Sequence, residues 1–258
     1  MPEQRAAPRW TGLALPLAGA AVAVGLWWGA TAVFGIRSFF LPSPPDVVAS
    51  FRAQPEYLLT EAWATLQETL AGFLIALAAG LLIAMLLTMS STVERATLPL
   101  LVALNSIPKV ALAPLLIVWL GYGPAPKIVM IVLISFFPIV VSAAAGLSST
   151  PADLGELATS LSASWWQAYL KVRLPWALPQ VFVGLKLGIS LAVIGAVVAE
   201  ISSPNGGLGA VVVLSGSSLD TPLAFAAITL LAILSIVLFY LVVGLERLLL
   251  PWARAITA

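Results

Sequence analysis

Side chains capable of chemistry are scarce in this sequence, and their placement narrows what they can do. Cys and His are both absent, which removes disulfides, thiol nucleophiles, imidazole acid–base catalysis and zinc sites built on either residue. No Gly-x-x-x-x-Gly-Lys-Ser/Thr loop occurs, so the chain does not hold a nucleotide in the P-loop manner. The longest polar stretch, TPADLGELATSLSASWWQAYLKVRLPWALP at 150–179, groups Asp153, Glu156, Lys171 and Arg173 with two adjacent tryptophans. Charges of both signs beside aromatic rings suit contact with a soluble surface better than bond chemistry. A second grouping, Asn105, Ser106, Pro108 and Lys109, interrupts one apolar run, and Ser135 with Pro138 interrupts the next. Polar groups within such runs face other helices or a water-filled path rather than lipid.

The elements that must position these residues follow from composition. The chain has 258 residues, of which 61% are hydrophobic and 9% charged, and its mean hydropathy is +1.07. That is an all-α polytopic membrane protein. A formal net charge of +1, with no basic cluster interleaved with aromatics, gives no reason to expect a nucleic-acid partner. Hydropathy predicts six spans, at 12–36, 61–89, 98–120, 126–147, 178–200 and 222–249. The first follows two arginines, but its run from Gly12 to Ile36 is too long for a signal-peptide core, so an uncleaved helix is expected. LPSPPD at 41–46 reads as hostile to helix, Thr60 as the cap of the second span, and SSPNGGLG at 202–209 as an external Gly-rich loop. The chain reads as one transmembrane domain, 1–258, with the polar loop 150–175 between spans four and five. With the N-terminus inside, Arg5, Arg9, Arg95, Lys171, Arg173, Arg247 and Arg254 fall on the inner side, against Arg37, Arg52 and Lys127 outside. This bias places both termini and the polar loop in the cytoplasm.

In the second span Ala71, Gly72, Ala76, Ala79, Gly80 and Ala84 recur at three- and four-residue steps, the pattern of close helix packing in lipid. Glu68 reads as a solvated or hydrogen-bonded residue near the outer interface. The third span, LPLLVALNSIPKVALAPLLIVWL, holds thirteen Leu, Ile and Val residues, together worth about −4 to −8 kcal/mol of insertion free energy. A central lysine costs about +2.5 to +3.5 kcal/mol. Asn105 and the prolines subtract more, so insertion is marginal and the polar face is expected against other helices or a path. For Lys109 two readings stay open: a wall residue attracting an anion, or a side chain snorkelling to the interface. Ser135 is a weaker second wall candidate. Glu200 ends the fifth span, as a solvated helix end or a gate at the outer mouth.

The polar loop carries strong local signals. Thr150-Pro151-Ala152-Asp153 is a helix start, and Ser164-Trp165-Trp166-Gln167 is a second capping box. They predict helices over 151–161 and 165–173, broken at Ser162, with Leu174-Pro175 stopping the second. Physically this is either an amphipathic linker with its tryptophans at headgroup depth or a docking element.

Glu156-Leu157-Ala158, then Ser162-Ala163, then Leu174-Pro175 resembles the EAA loop of ABC importer permeases, whose pattern is Glu-Ala-Ala, three residues, Gly, and Leu-Pro about a dozen residues later. IPKVALAPLLIVWLGYG at 107–123 and AEISSPNGGLG at 199–209 resemble the nitrate, sulfonate and taurine branch. The stretch 221–252 resembles permeases for thiamine-precursor pyrimidines and riboflavin. The resemblance covers 41–252. It departs at Leu157, in place of the first Ala, and at Ser162, in place of the Gly of the family's sharp turn, where a left-handed Ser costs about 1 kcal/mol more than Gly. It implies a type I ABC importer fold, a homodimer in a bacterial inner membrane, and two ATPase subunits that carry ATP and magnesium and dock on the EAA helices. An external solute-binding protein would deliver a small solute, and no cofactor would sit in this chain. An ion-coupled secondary transporter or channel is the alternative; it would need no ATPase and gives no reason for the EAA spacing.

Overall fold

The computed structural model describes residues 11–252, and every regular element among them is helical. In chain order these are α1 (Thr11–Val33), α2 (Pro44–Ala53), α3 (Pro55–Thr88), α4 (Ser91–Asn105), a 3-10 turn (Lys109–Leu112), α5 (Ala113–Leu120) and α6 (Pro124–Ser148). They continue with α7 (Ala152–Ser160), α8 (Trp165–Ala168), a π turn (Tyr169–Arg173), α9 (Leu174–Ser202), α10 (Leu208–Ser217) and α11 (Thr221–Leu249). Among the described residues five helices are long and apolar enough to cross a membrane, and the pair Thr92–Asn105 and Lys109–Leu120, bent by 72°, makes six when counted as one broken span. Arg5, Arg9 and Arg254 of the orientation argument lie outside the described residues.

Two isoleucines show how the centre is built. Ile131 and Ile139 lie two turns apart on α6, and each is pinched between a glycine of α3 and a glycine of α9. A Cβ on Gly72 would meet Ile131 Cγ2 at 2.5 Å, and one on Gly195 would meet Ile131 Cα at 2.9 Å. Gly80 and Gly188 stand in the same relation to Ile139, at 2.8 and 2.9 Å. The small-residue stripe of the second span is therefore the contact that lets α3 and α6 approach to backbone distance, the source of association between helices that lipid does not drive together.

Several boundaries differ from the sequence reading, each for a local reason. LPSPPD does not end in coil: Ser43 caps α2 in a capping box with Asp46, and Pro44 and Pro45 occupy the first helical positions, where a missing N–H costs nothing. α3 begins at Pro55, so Thr60 lies within the helix and is not its cap. At 34 residues α3 is about 51 Å long, well beyond the hydrocarbon thickness of about 30 Å, and so it projects from the membrane. The Gly-rich loop is shorter than expected, because Leu208 starts α10. Its ten residues span about 15 Å, half a bilayer, and Leu208, Gly209, Ala210 and Val211 are buried. Leu174-Pro175 does not stop a helix either. The turn before Pro175 widens, with the Leu174 N–H bonded to the Tyr169 carbonyl five residues back, and this π turn accommodates the proline ring. Trp165–Ser202 is consequently one apolar helical run of 38 residues.

Candidate functional site

The loop between α6 and α9 folds as a two-helix arm. At the end of α7 the Ala163 N–H bonds to the Ala158 carbonyl at 3.0 Å, and Ser162 adopts φ +55°. This is a helix stop of the Schellman kind with a left-handed residue at its hinge. Ser162 thus takes the conformation that glycine takes at low cost. Ser164 then caps α8 in a capping box: its hydroxyl accepts from the Gln167 N–H at 3.3 Å, and Gln167 Oε1 accepts from the Ser164 N–H at 2.9 Å. Turn and cap together fix the angle between the helices with bonds between near neighbours in sequence.

Exposure divides the residues of the arm. Ala158 is buried and Ala163 partly so, whereas Glu156, Leu157 and Ser162 are exposed, with Leu157 at 56%. Leu174 and Pro175 are half-buried where the arm meets the bundle. The anchor is Tyr169, buried in a cluster with Ala84 of α3, Ala143, Ala144 and Leu147 of α6, and Ala177 and Val181 of α9. Trp165 stacks on Tyr169 with ring centres 5.3 Å apart, and Trp166 meets Trp165 edge-on at 4.8 Å. Beside the arm, a cleft of about 850 Å³ includes Glu94, Glu156, Ser160 and Arg173 in its walls. An outward-facing carboxylate and leucine on a helix pair locked to the end of a 38-residue run can pass a push along that run.

The broken span carries the second group. At its break, Ser106–Pro108, side chains turn back onto the last turn of α4: Ser106 Oγ donates at 3.0 Å to the Val102 carbonyl, which also accepts the Ser106 N–H. Lys109 Nζ folds back to donate to the Asn105 carbonyl at 3.2 Å and to Asn105 Oδ1 at 2.6 Å. Asn105 and Lys109 line a cavity of about 390 Å³ whose other walls are apolar, among them Leu104, Leu112, Phe136 and Phe137. Pro108 is exposed at the bend. Ser135 is fully buried and donates to the Ile131 carbonyl at 2.7 Å, so in this chain it faces packed helices.

A third group escaped the sequence reading. At the end of the bundle opposite the arm, Glu200 is not a solvated helix end but is 0% exposed. Its Oε1 accepts from the Thr65 hydroxyl at 2.7 Å, and its Oε2 from the Gly209 N–H at 2.7 Å. Thr65 Oγ1 accepts in turn from the Leu208 N–H at 2.9 Å, and the Gly207 N–H bonds to Glu61 Oε2. Lys127, expected on the outer side, is 3% exposed and donates to Glu68 Oε1 and to the Gly206 carbonyl, both at 2.9 Å. The signal was available: Glu61, Thr65 and Glu68 fall at steps of four and three on one face of α3. What the sequence does not show is that this face meets the Gly-rich turn. Lys186, within a span, pairs with Glu246 of α11 at 3.0 Å, tying α9 to the last helix.

Comparison with known proteins adds to this geometry. Residues 76–255 match the family described as binding-protein-dependent transport system inner membrane component. The chain is 37% identical, over 98% of its length and 97% of the relative's, to the riboflavin transport system permease protein RibX of Chloroflexus aurantiacus. It is also 37% identical to the formylaminopyrimidine transport permease protein ThiX of Halalkalibacterium halodurans, covering 84% of this chain and 88% of that one. To the taurine transport system permease protein TauC of Escherichia coli it is 32% identical, with 90% and 87% covered. Among solved structures, an inward-facing form of the MetNI methionine ABC transporter superposes with a TM-score of 0.67 at 22% identity, over 75% of this chain and 97% of that chain, and so shares the fold.

Proposed function

The chain belongs to the family of binding-protein-dependent transport system inner membrane components, and from that membership we propose that its 150–175 loop is the surface on which a separate ATPase acts. The protein is a multi-pass permease subunit of an ABC importer, a transport subunit rather than an enzyme. Two ATPase subunits, which carry ATP and magnesium, receive the exposed face of α7 around Glu156 and Leu157. Ala158, Ser162 and Ala163 shape the turn, and Leu174 and Pro175 join it to α9. The observation carrying this reading is the continuity of the arm's second helix with α9: the Tyr169 anchor and the Trp165–Ser202 run can carry onward a push that α7 passes across the bonded turn at Ser162. Closure of the ATPases then exchanges two packings of the spans, a two-state change biased by nucleotide.

Two copies of the chain form the pathway, with both termini and the arm in the cytoplasm and an external solute-binding protein at the opposite end. Each copy contributes the broken span, with Asn105, Ser106, Pro108 and Lys109 at the wall and Ser135 behind it. Among the substrates of the relatives, riboflavin and formylaminopyrimidine accompany 37% identity and taurine 32%. A cavity with two phenylalanine rings and one lysine–asparagine pair favours the same class, a planar heterocycle with an acceptor group, over nitrate, taurine or another small sulfonate.

Glu156→Lys tests the docking face. The exposed substitution leaves the fold intact, so the permease is expected to insert normally while ATPase co-purification and substrate-stimulated hydrolysis in proteoliposomes fall at least tenfold. Hydrolysis coupled as in the parent would remove the arm from the mechanism.

A further inference from the structure

The polar knot opposite the arm holds more negative charge than its partners balance. Three carboxylates, Glu61 and Glu68 of α3 and Glu200 of α9, join this knot with one ammonium, Lys127 of α6, which pairs with Glu68. α5 and α10 contribute no ionisable residue, and Tyr57, one turn before Glu61, completes the titratable groups of this region. Four of the six carboxylate oxygens have a donor. Glu61 Oε2 takes the Gly207 N–H, Glu68 Oε1 takes Lys127, and both oxygens of Glu200 are filled by Thr65 and Gly209. Glu68 Oε2 is buried and has no donor, and Glu68 follows by one helical turn Thr65, whose hydroxyl is bonded to Glu200.

Two ionised carboxylates in that position repel in a site closed to water, and a proton between them turns the contact into a bond. We infer that Glu68 and Glu200 hold one proton between them, forming a proton-binding site that latches the 203–207 turn and the start of α10 onto α3. The latch is geometric. Consecutive N–H groups of Gly207, Leu208 and Gly209 are all bonded to Glu61, Thr65 and Glu200, and the Gly206 carbonyl to Lys127. Two of these bonds end on carboxylates, Glu61 and Glu200, and the other two on Thr65 and Lys127, which are themselves bonded to Glu200 and Glu68. With the proton bound the latch is closed. As pH rises and the proton leaves, the knot gains one more buried negative charge and the turn is released. α10 enters the bundle only half a bilayer deep, and this turn is its tether to α9, so release frees the outer end of the bundle to rearrange.

The test reads the latch and not transport, so its outcome is separate from the fate of the docking proposal. Full-length protein in lipid nanodiscs is followed by amide hydrogen exchange over 203–212 across a pH series, corrected for the intrinsic pH dependence of exchange. The parent is expected to stay protected at acid and neutral pH and to lose protection at least tenfold in the alkaline range. Glu68→Gln keeps an acceptor for Lys127 and puts an N–H donor where the proton sat, so it should stay protected and lose the alkaline step. Infrared spectra supply the second readout: the carbonyl stretch of a buried protonated carboxylic acid, present in the parent, should vanish in Glu68→Gln and in Glu200→Gln. A parent without an alkaline step, a Glu68→Gln variant that retains it, or a parent without the protonated-acid band would each overturn the assignment.

Discussion

The two ends of this bundle are held together by different means. At the arm, order comes from neighbours in sequence: a 3.0 Å bond from Ala163 back to Ala158, a capping box spanning three residues, and one buried tyrosine. At the opposite end it comes from partners far apart in the chain, 135 residues between Thr65 and Glu200 and 143 between Leu208 and Thr65. The arm leaves its side chains exposed, whereas the knot buries nearly all of its own. A segment that must be gripped from outside needs its shape fixed by its own backbone, so that its side chains stay available. The knot uses its side chains on itself. The contrast also separates what a substitution does: at the arm it should change coupling and spare the fold, and at the knot the reverse.

A matched pair of glycines breaks the comparison most sharply. Gly207 has φ +97°, and a Cβ placed there falls inside the Glu200 carboxyl group. Gly207→Ala therefore meets a left-handed backbone and an overpacked site together, and a loss of about 2–4 kcal/mol is expected. Gly155, within α7 at the arm, has nothing within 4 Å of its would-be Cβ. Gly155→Ala should add up to about 1 kcal/mol through helix propensity. Thermal unfolding in detergent reports both; equal and small shifts would mean that the knot is not a rigid unit.

Thr65→Val is the next largest. It keeps the shape of the side chain and deletes the hydroxyl that accepts from Leu208 and donates to Glu200. One buried N–H and one buried carboxylate oxygen are left without a partner, at a cost of about 1–3 kcal/mol. Amide exchange should rise at 206–210 and remain unchanged over 152–170, which locates the loss at one end.

The same division explains what the sequence revealed. The arm was legible down to its second capping box, because caps, turns and the spacing of Glu156, Ser162 and Leu174 are local patterns. The spans were legible because twenty apolar residues suffice to mark one. Glu200 was misread as solvated because burial there depends on Thr65 and on the Gly207–Gly209 backbone, which sequence order holds far apart. α2 and α10 were missed for nearer reasons. Two prolines that suit a helix start read as a stop, and a ten-residue apolar helix is too short for a span criterion. Pro175 was taken for a terminator because a π turn that absorbs a proline leaves no sign in composition.

The smallest effect sharpens the comparison at its finest point. Ser162 sits at φ +55° on the exposed hinge of the arm, and its left-handed conformation costs about 1 kcal/mol that glycine avoids. Glycine also has more freedom to lose on folding, so Ser162→Gly should recover only part of that amount. If the arm is held by its own backbone, the gain should appear locally, as slower amide exchange at 161–164, where the Ala163 N–H closes the turn. The knot should not register it, and ATPase coupling should keep its parental value, because Glu156 and Leu157 are presented by α7 before the hinge. A change in exchange at 206–210 would show that the two ends communicate in the resting state through the 38-residue run that joins them. The arm would then be a reporter of the latch as well as the proposed docking surface.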